Sequence, residues 1–383
     1  MLATCPAGTR QGRKFLPVVA QIQTRGFHST KAPRKWDVQD VKIGGRSSVS
    51  GITATVFGAT GSLGPLVVNR LGKIGSRVVV PFRDSGMSAR PLKLMGDLGQ
   101  IIPVPYSIDD PESIEKAIAK SDVVINCIGN PYETRNFSYR NTYVDANEAL
   151  VKACTKAGVK RYLNVSAVNA SLDSESTWLQ ANAEADALVH SEFADATTLK
   201  VTRIFGRMDR FVNQYASLAN QSPITPLVNN GENLVQPVYD DDVAAAIVSA
   251  VLKPESMGKT YYLGGPETVM MKEFIAELHK DLYLTNKGNM VPLPMRAARA
   301  FGYFLQQFRF FVRPFAVITE DEIVQLQYDN VVPDGVPTIE DLDVTTPTKL
   351  MGPLLEELSI VHRGERGPDV VWKGRRTWDE VKV

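Results

Sequence analysis

A doubly wound α/β architecture built on a parallel sheet is what this sequence predicts, on three observations. Short apolar, β-branched runs recur through the first two-thirds of the chain and alternate with segments of helical periodicity. Those runs are mostly apolar, as strands covered by helices on both faces are. The first of them, from Thr53 to Phe57, leads straight into Gly58, Gly61 and Gly64, ahead of a helical pattern carried by Leu66, Val67 and Leu71.

The remaining elements follow in order. The second strand runs from Arg77 to Arg83, and a polar helix then reaches Met95 and Gly96. Residues 101–104 form the third strand. Asp110 caps a helix with Pro111 in its first turn, ending near Ala119. The fourth strand covers 122–128, with a loop over 129–136. A long helix from about Ser138 stops at Gly158, a natural left-handed cap. The fifth and sixth strands are 161–165 and 199–204. Beyond Phe205 the rhythm loosens into helices at 213–219, 241–252 and 272–284, with strand-like pieces at 234–238 and 260–263. The expected division is 1–34 as a leader, 50–265 as the nucleotide-binding domain, and 266–383 as a smaller C-terminal lobe with an irregular tail. From Val331 that tail is rich in Pro and Gly and is expected to wrap a surface.

Glycines at 58, 61 and 64, placed between a strand and a helix, predict a Rossmann-type fold that binds a dinucleotide, the alternative being a plain strand-to-helix turn. They let the chain turn tightly and let a pyrophosphate approach amide groups at a helix start. The tip of the second strand selects the dinucleotide. An acidic side chain there would take the ribose hydroxyls of NAD, but this chain has Arg83, then Asp84. A guanidinium fork suits a 2′-phosphate, which favours NADP(H). The alternative is that Arg83 is a solvated charge and Asp84 meets the ribose.

Composition sets outer limits. With 44% hydrophobic and 22% charged residues, the chain is an ordinary globular protein. Its net charge of +1 hides a basic leader: residues 1–36 carry seven basic groups and no acid. The remaining 36 basic and 42 acidic groups leave about −6, with no basic patch for nucleic acid. An acid-free, Arg-bearing N-terminus predicts a mitochondrial presequence, removed near the string Arg25-Gly-Phe-His-Ser-Thr30. Cys127 and Cys154 make no disulfide framework, and four scattered histidines lack metal-ligand spacing, so no metal is expected.

Residues 295–315 differ in kind, carrying seven aromatic rings with Arg296, Arg299, Arg309 and Arg313. Such a stretch is too short and too polar to span a bilayer, but suits a membrane surface or a protein partner. The alternative is that its phenylalanines close the domain's own core. Residues 319–322 then read as a capping box.

The glycine motif resembles that of short-chain dehydrogenase/reductase-like proteins. By that resemblance Ser166 stands where a substrate-polarising hydroxyl belongs, with Tyr-x-x-x-Lys expected in the next helix. Trp178 and Asn182 stand there instead, and neither can give or take a proton. A Tyr-x-x-x-Lys at Tyr283 and Lys287 lies well past the Rossmann core and reads as chance.

Further strings narrow the resemblance: Met95-Gly-Asp-Leu-Gly-Gln100, Asn126-Cys-Ile-Gly-Asn-Pro-Tyr-Glu-Thr134, Ile204-Phe-Gly-Arg-Met-Asp-Arg-Phe211, Gln236-Pro-Val-Tyr239 and Pro337-Thr-Ile-Glu-Asp-Leu342. With them the chain resembles the NADPH-binding accessory subunits of mitochondrial respiratory complex I, an atypical branch of that superfamily. The resemblance implies a non-catalytic subunit on the matrix side of the inner membrane, in contact with other complex I subunits, whose NADPH serves assembly and stability. It implies that Gly58, Ala59, Thr60, Gly61, Ser62, Leu63 and Gly64 cradle the phosphates and that Arg83 takes the 2′-phosphate. It also implies that Cys127, Ile128 and Gly129 line the adenosine-ribose side, with Val165 and Ser166 near the nicotinamide. Two departures stand out. Trp178 and Asn182 replace a Tyr and Lys pair that members often keep, and Ser107 replaces an acid near the adenine. The competing readings are an active NADP-dependent matrix reductase or epimerase, using Ser166 with Asp186 or Tyr239, and a redox-sensing regulator.

Overall fold

The computed structural model describes residues 49–83, 86–134, 136–221, 224–282, 289–308, 319–352 and 355. The leader 1–34, Asp84, Tyr283, Lys287 and residues 309–318 lie outside them.

The chain begins with β1 (Thr53–Phe57), α1 (Gly64–Lys73), β2 (Arg77–Phe82), β3 (Ile101–Pro105), α2 (Pro111–Ile118) and β4 (Val123–Asn126). It continues through α3 (Ala146–Ala157), β5 (Arg161–Ala167), α4 (Thr177–Glu192) and β6 (Thr197–Val201). A second group of elements follows: β7 (Ile204–Phe205), α5 (Phe211–Gln221), β8 (Ile224–Val228), β9 (Leu234–Val235) and β10 (Val238–Tyr239). Then come α6 (Asp240–Leu252), β11 (Thr260–Leu263), β12 (Val269–Met270), α7 (Met271–Asp281), β13 (Asn289–Leu293), α8 (Met295–Phe308) and α9 (Glu320–Gln325).

Seven strands form one parallel sheet in the order β11-β6-β5-β4-β1-β2-β3. The order reverses between β1 and β4, which opens a crevice at their carboxyl ends. One core lies beneath the sheet, where Phe57, Ile114, Ile118, Leu150 and Tyr162 are fully buried. Each such side chain contributes about 1.5–3 kcal/mol. A second core, centred on Phe205, Phe274, Ile275 and Leu278, draws on segments from both sides of residue 265. Asp110 caps α2 by accepting from the Glu112 amide, and Gly158 ends α3 at φ +66. The tail meets the body at bridges from Asn330 to Val235 and from Thr338 to Tyr262.

Several elements depart from the sequence reading. The polar helix before Gly96 is a run of turns ending in a 3₁₀ segment, Pro91–Met95, in which only Leu92 is buried. Pro91 supplies no amide there, and too little apolar surface exists to hold a longer helix. The sixth strand breaks after Val201, because the Thr202 hydroxyl turns to the carbonyls of Gln236 (2.6 Å) and Leu263 (3.2 Å). Gln236 and Pro237 likewise split 234–238 into β9 and β10, which pair with different partners. Thr319 caps α9 alone, accepting from the Glu322 amide, while the Glu322 carboxylate faces Arg210 and Gln214. Among the described residues, no helix is long and apolar enough to cross a membrane.

Candidate dinucleotide site

The residues expected to hold the dinucleotide, 58–64, Arg83, 127–129, Val165 and Ser166, lie at or just past the carboxyl ends of β1, β2, β4 and β5, four adjacent strands. The glycine loop follows β1. Gly58 adopts φ +74, and a Cβ there would sit 2.5 Å from the Cys127 carbonyl oxygen, so only glycine lets β1 and β4 close up at this point. A Cβ on Gly64 would overlap the Gly58 carbonyl and the Ala59 backbone. Gly61 donates its amide to the Gly58 carbonyl at 3.0 Å, among the described residues the one backbone bond closed within this loop. Ala59 and Leu63 are buried, whereas Thr60, Gly61 and Ser62 are exposed at the tip. Pro65 occupies the first turn of α1, and Leu63 supplies no side-chain cap. A helix start without a side-chain cap is one where an anion can take that place.

Arg83 stands one residue beyond β2, with its guanidinium carbon 5.6 Å from the centre of the Phe137 ring. Tyr106, at the end of β3, lies close enough to feel that charge. Burial raises the Tyr106 phenol pKa, and Arg83 partly offsets the rise. Ser107 follows, accepting through its backbone carbonyl and donating through its amide to Ser113.

At the end of β4, Cys127 is half-buried and its thiol is pushed up to about 12 by burial, which removes it as a nucleophile. The Ile128 amide donates to Asn126 Oδ1 at 3.0 Å, and Gly129 is exposed beside the Tyr143 hydroxyl. Val165 is half-buried and Ser166 is buried near the end of β5.

Ser166, Trp178 and Asn182 are each committed elsewhere. Ser166 Oγ donates to Asp186 Oδ2 at 2.7 Å. Trp178 Nε1 donates to the Tyr143 hydroxyl at 2.8 Å, and that hydroxyl in turn donates to the Asn130 carbonyl at 3.0 Å. Asn182 Nδ2 donates back to the Trp178 carbonyl at 2.8 Å. The Tyr143 phenol is pushed up to about 12 by burial, with the bonds it accepts from Trp178 Nε1 and the Asn130 amide working against it. Tyr239 is not part of this group. Its ring packs 5.4 Å from that of Phe205 in the second core.

Sequence reasoning missed the polar layer beneath. Asn126, Asn147 and Asn164 are buried and joined by amide hydrogen bonds, and Asn164 donates to Asp186 at 3.1 Å. Lys200 lies 3.8 Å from the same carboxylate. Burial raises the Asp186 pKa, and Ser166 and Lys200 oppose it. An asparagine closing an apolar strand, as at Asn126, was the available signal, since a buried amide must find partners. Also missed was Asp321 of α9, which accepts from Ser176 Oγ (2.8 Å) and the Thr177 amide (2.7 Å) at the start of α4. Among the described residues, no three His, Cys, Asp or Glu side chains are grouped to hold a metal ion.

Comparison with known proteins gives two kinds of likeness. Residues 51–295 match the model of the NmrA-like family. The chain is 42% identical over 334 residues to NADH dehydrogenase (ubiquinone) 1 alpha subcomplex subunit 9, mitochondrial, of Arabidopsis thaliana, covering 85% of this chain and 81% of that one. It is 39% identical to the protein of the same name from Mus musculus, over 80% of each. Among solved structures, the triphenylmethane reductase of Citrobacter sp. complexed with NADP(H) superposes with a TM-score of 0.62 at 19% identity, over 81% of this chain and 99% of the reductase. That last likeness is one of fold.

Proposed function

The chain belongs to the NmrA-like family and to the family of NADH dehydrogenase (ubiquinone) 1 alpha subcomplex subunit 9, and from that membership we propose that it is a non-catalytic accessory subunit of mitochondrial complex I that holds NADPH. One observation carries the reading. The glycine loop has no room for side chains at Gly58 and Gly64, as close backbone approach of a pyrophosphate would need, while the three positions that would do chemistry, Ser166, Trp178 and Asn182, are tied into internal hydrogen bonds.

The cradle fits the nucleotide. Amide groups of 58–64 and the start of α1 receive the pyrophosphate, and Arg83 takes the 2′-phosphate as a charge-assisted fork. Cys127, Ile128 and Gly129 pass the adenosine ribose, with Val165 and Ser166 toward the nicotinamide. When bound, NADPH offers a hydride. At the position where a tyrosine would donate the proton, the indole of Trp178 is bonded to the Tyr143 hydroxyl and cannot ionise. General acid–base help is worth about 10²–10⁴ in rate, so its absence leaves a tethering role. A ligand that binds only the folded state adds about 2.7 kcal/mol at a hundredfold excess over Kd.

The setting proposed is the matrix side of the inner membrane, with the leader serving import. In that setting, residues 295–315 meet other complex I subunits and the adjoining lipid. Nucleotide extraction from the purified assembly tests the cofactor: recovery of NADP(H) is expected, and recovery of none overturns it. Depletion of the chain is expected to leave complex I short of full size on native gels, and a full-size complex would overturn the structural role. The rival, an NADP-dependent reductase or epimerase, requires coenzyme turnover by the isolated chain that Ser166→Ala abolishes.

A further inference from the structure

The connection from β4 to α3 crosses the crevice. β2 is separated from β4 by β1 in the sheet, so the contact between Arg83, after β2, and Phe137, after β4, bridges the width of β1, whose tip carries the glycine loop. The strap that delivers Phe137 is held at several points along the described residues. Thr134 donates its amide to the Phe137 carbonyl at 2.9 Å, and its hydroxyl accepts the Phe137 amide at 3.1 Å. Glu133 accepts the Tyr139 amide, and the Tyr139 hydroxyl donates to the Pro131 carbonyl, both at 3.1 Å. Tyr132 lies under the Arg210 guanidinium at 5.1 Å, and Arg210 pairs with Glu322 at 3.5 Å. Asn130 is fixed at both its amide and its carbonyl by the Tyr143 hydroxyl. Phe137 is half-buried on this strap, while Arg83 is exposed.

We infer that Phe137 is a specificity-determining positioning residue, whose ring face holds the Arg83 guanidinium at the mouth of the crevice and thereby favours a dinucleotide bearing a 2′-phosphate over one bearing a 2′-hydroxyl. The inference rests on the reading of the crevice as an NADPH site. An exposed arginine loses side-chain freedom when it engages a phosphate, and that loss weakens binding. A ring that already orients the guanidinium removes part of it, at a cation–π strength that grows as the pair is desolvated. The 2′-hydroxyl nucleotide offers Arg83 no charge, so ordering the arginine gains it little. Phe137 thus acts on the ratio of the two affinities, through Arg83, with no contact to the nucleotide required.

The test measures Kd for NADPH and NADH on the full chain carrying Phe137→Leu, Phe137→Tyr, Arg83→Ala or the Phe137→Leu/Arg83→Ala pair. Phe137→Leu keeps the apolar volume without the π face, and is expected to weaken NADPH about three- to tenfold while NADH stays within about twofold. Phe137→Tyr is expected to keep the wild-type ratio. In the Arg83→Ala background, Phe137→Leu is expected to change nothing further. Equal losses for both dinucleotides, a loss that persists without Arg83, or a Phe137→Tyr ratio as low as that of Phe137→Leu would each overturn the inference. Should Phe137→Leu not fold, Phe137→Met takes its place, removing the π face with the same expected and overturning ratios. A wild-type chain that takes neither dinucleotide overturns the cofactor reading and this inference together. A chain that takes NADPH unaffected by Phe137→Leu overturns the inference alone.

Discussion

Asp209 is buried at the start of α5, where its carboxylate accepts from the amides of Val212 (2.7 Å) and Asn213 (3.4 Å). Burial pushes its pKa up to about 7 against the opposition of those amides, and nearby Asp240 adds to the rise. The unfolded carboxyl titrates near about 3.9. Below that pH both states hold the proton. As pH rises, the unfolded chain ionises first, so stability falls between about pH 4 and pH 7 and levels off above. Asparagine caps a helix about as well and cannot ionise. Asp209→Asn should therefore melt at an equal or higher temperature at neutral pH, with a flatter profile between pH 5 and 7.5. Parallel melting profiles for the two proteins would show that the Asp209 proton is not linked to folding. The string holding Asp209 was legible as distinctive, but its reason was not. Gly206, three residues earlier, leaves room that the Asp240 carboxylate fills, a contact across 34 positions that no local pattern reveals.

At the scale of elements, legibility followed the reach of the forces involved. Strands β1 to β5 and helices α2 and α3 are set by local matters: apolar β-branched runs, the Asp110 cap, the left-handed Gly158. The glycine loop was readable for the same reason, since the positive φ at Gly58 favours glycine locally, even before the close approach of Cys127 is known. Elements decided by distant partners were misread. The end of β6 depends on where Thr202 finds carbonyls, and the capping role of Asp321 depends on a helix 144 positions away in sequence. That second case supports a prediction. Asp321 accepts from Ser176 and from the Thr177 amide and hydroxyl, so it closes the start of α4 and pins α9 beside Trp178. Asp321→Ala leaves those donors unpaired at a partly buried helix start, a loss of about 1–2 kcal/mol. Chemical denaturation should show a lower midpoint, and amide exchange should quicken first over α9 and the first turn of α4. Protection lost uniformly, or nowhere, would mean that other contacts hold this junction.

Across the whole molecule, the two cores are interleaved along one chain. After β6 the chain leaves the sheet to build the second core, returns through α6 and β11, and leaves again at β12. From there it reaches α8, whose two sides differ. Ala298 is fully buried in a small cluster with Val228 and Ile323, and a Cβ on Gly302 would meet Ile323 at 2.5 Å, so this side is pressed on α9. Tyr303 and Phe304 are 56% and 58% exposed. Between Asp281 and Glu320 the sequence carries five basic side chains and no acid. Exposed rings within a basic, acid-free stretch suit an anionic surface, whether lipid or protein, and do not suit a core. The two sides can be separated by introducing the same charge on each. Ala298→Asp buries a carboxylate among Val228 and Ile323 and should unfold the packing of α8 on α9 or prevent expression. Tyr303→Asp should leave melting temperature and nucleotide binding within error of wild type. In native gels of mitochondria expressing it, the chain should migrate free of complex I. Tyr303→Asp that melts as early as Ala298→Asp would show that α8 is core on both sides. Tyr303→Asp that folds and still assembles would move the contact elsewhere on the subunit.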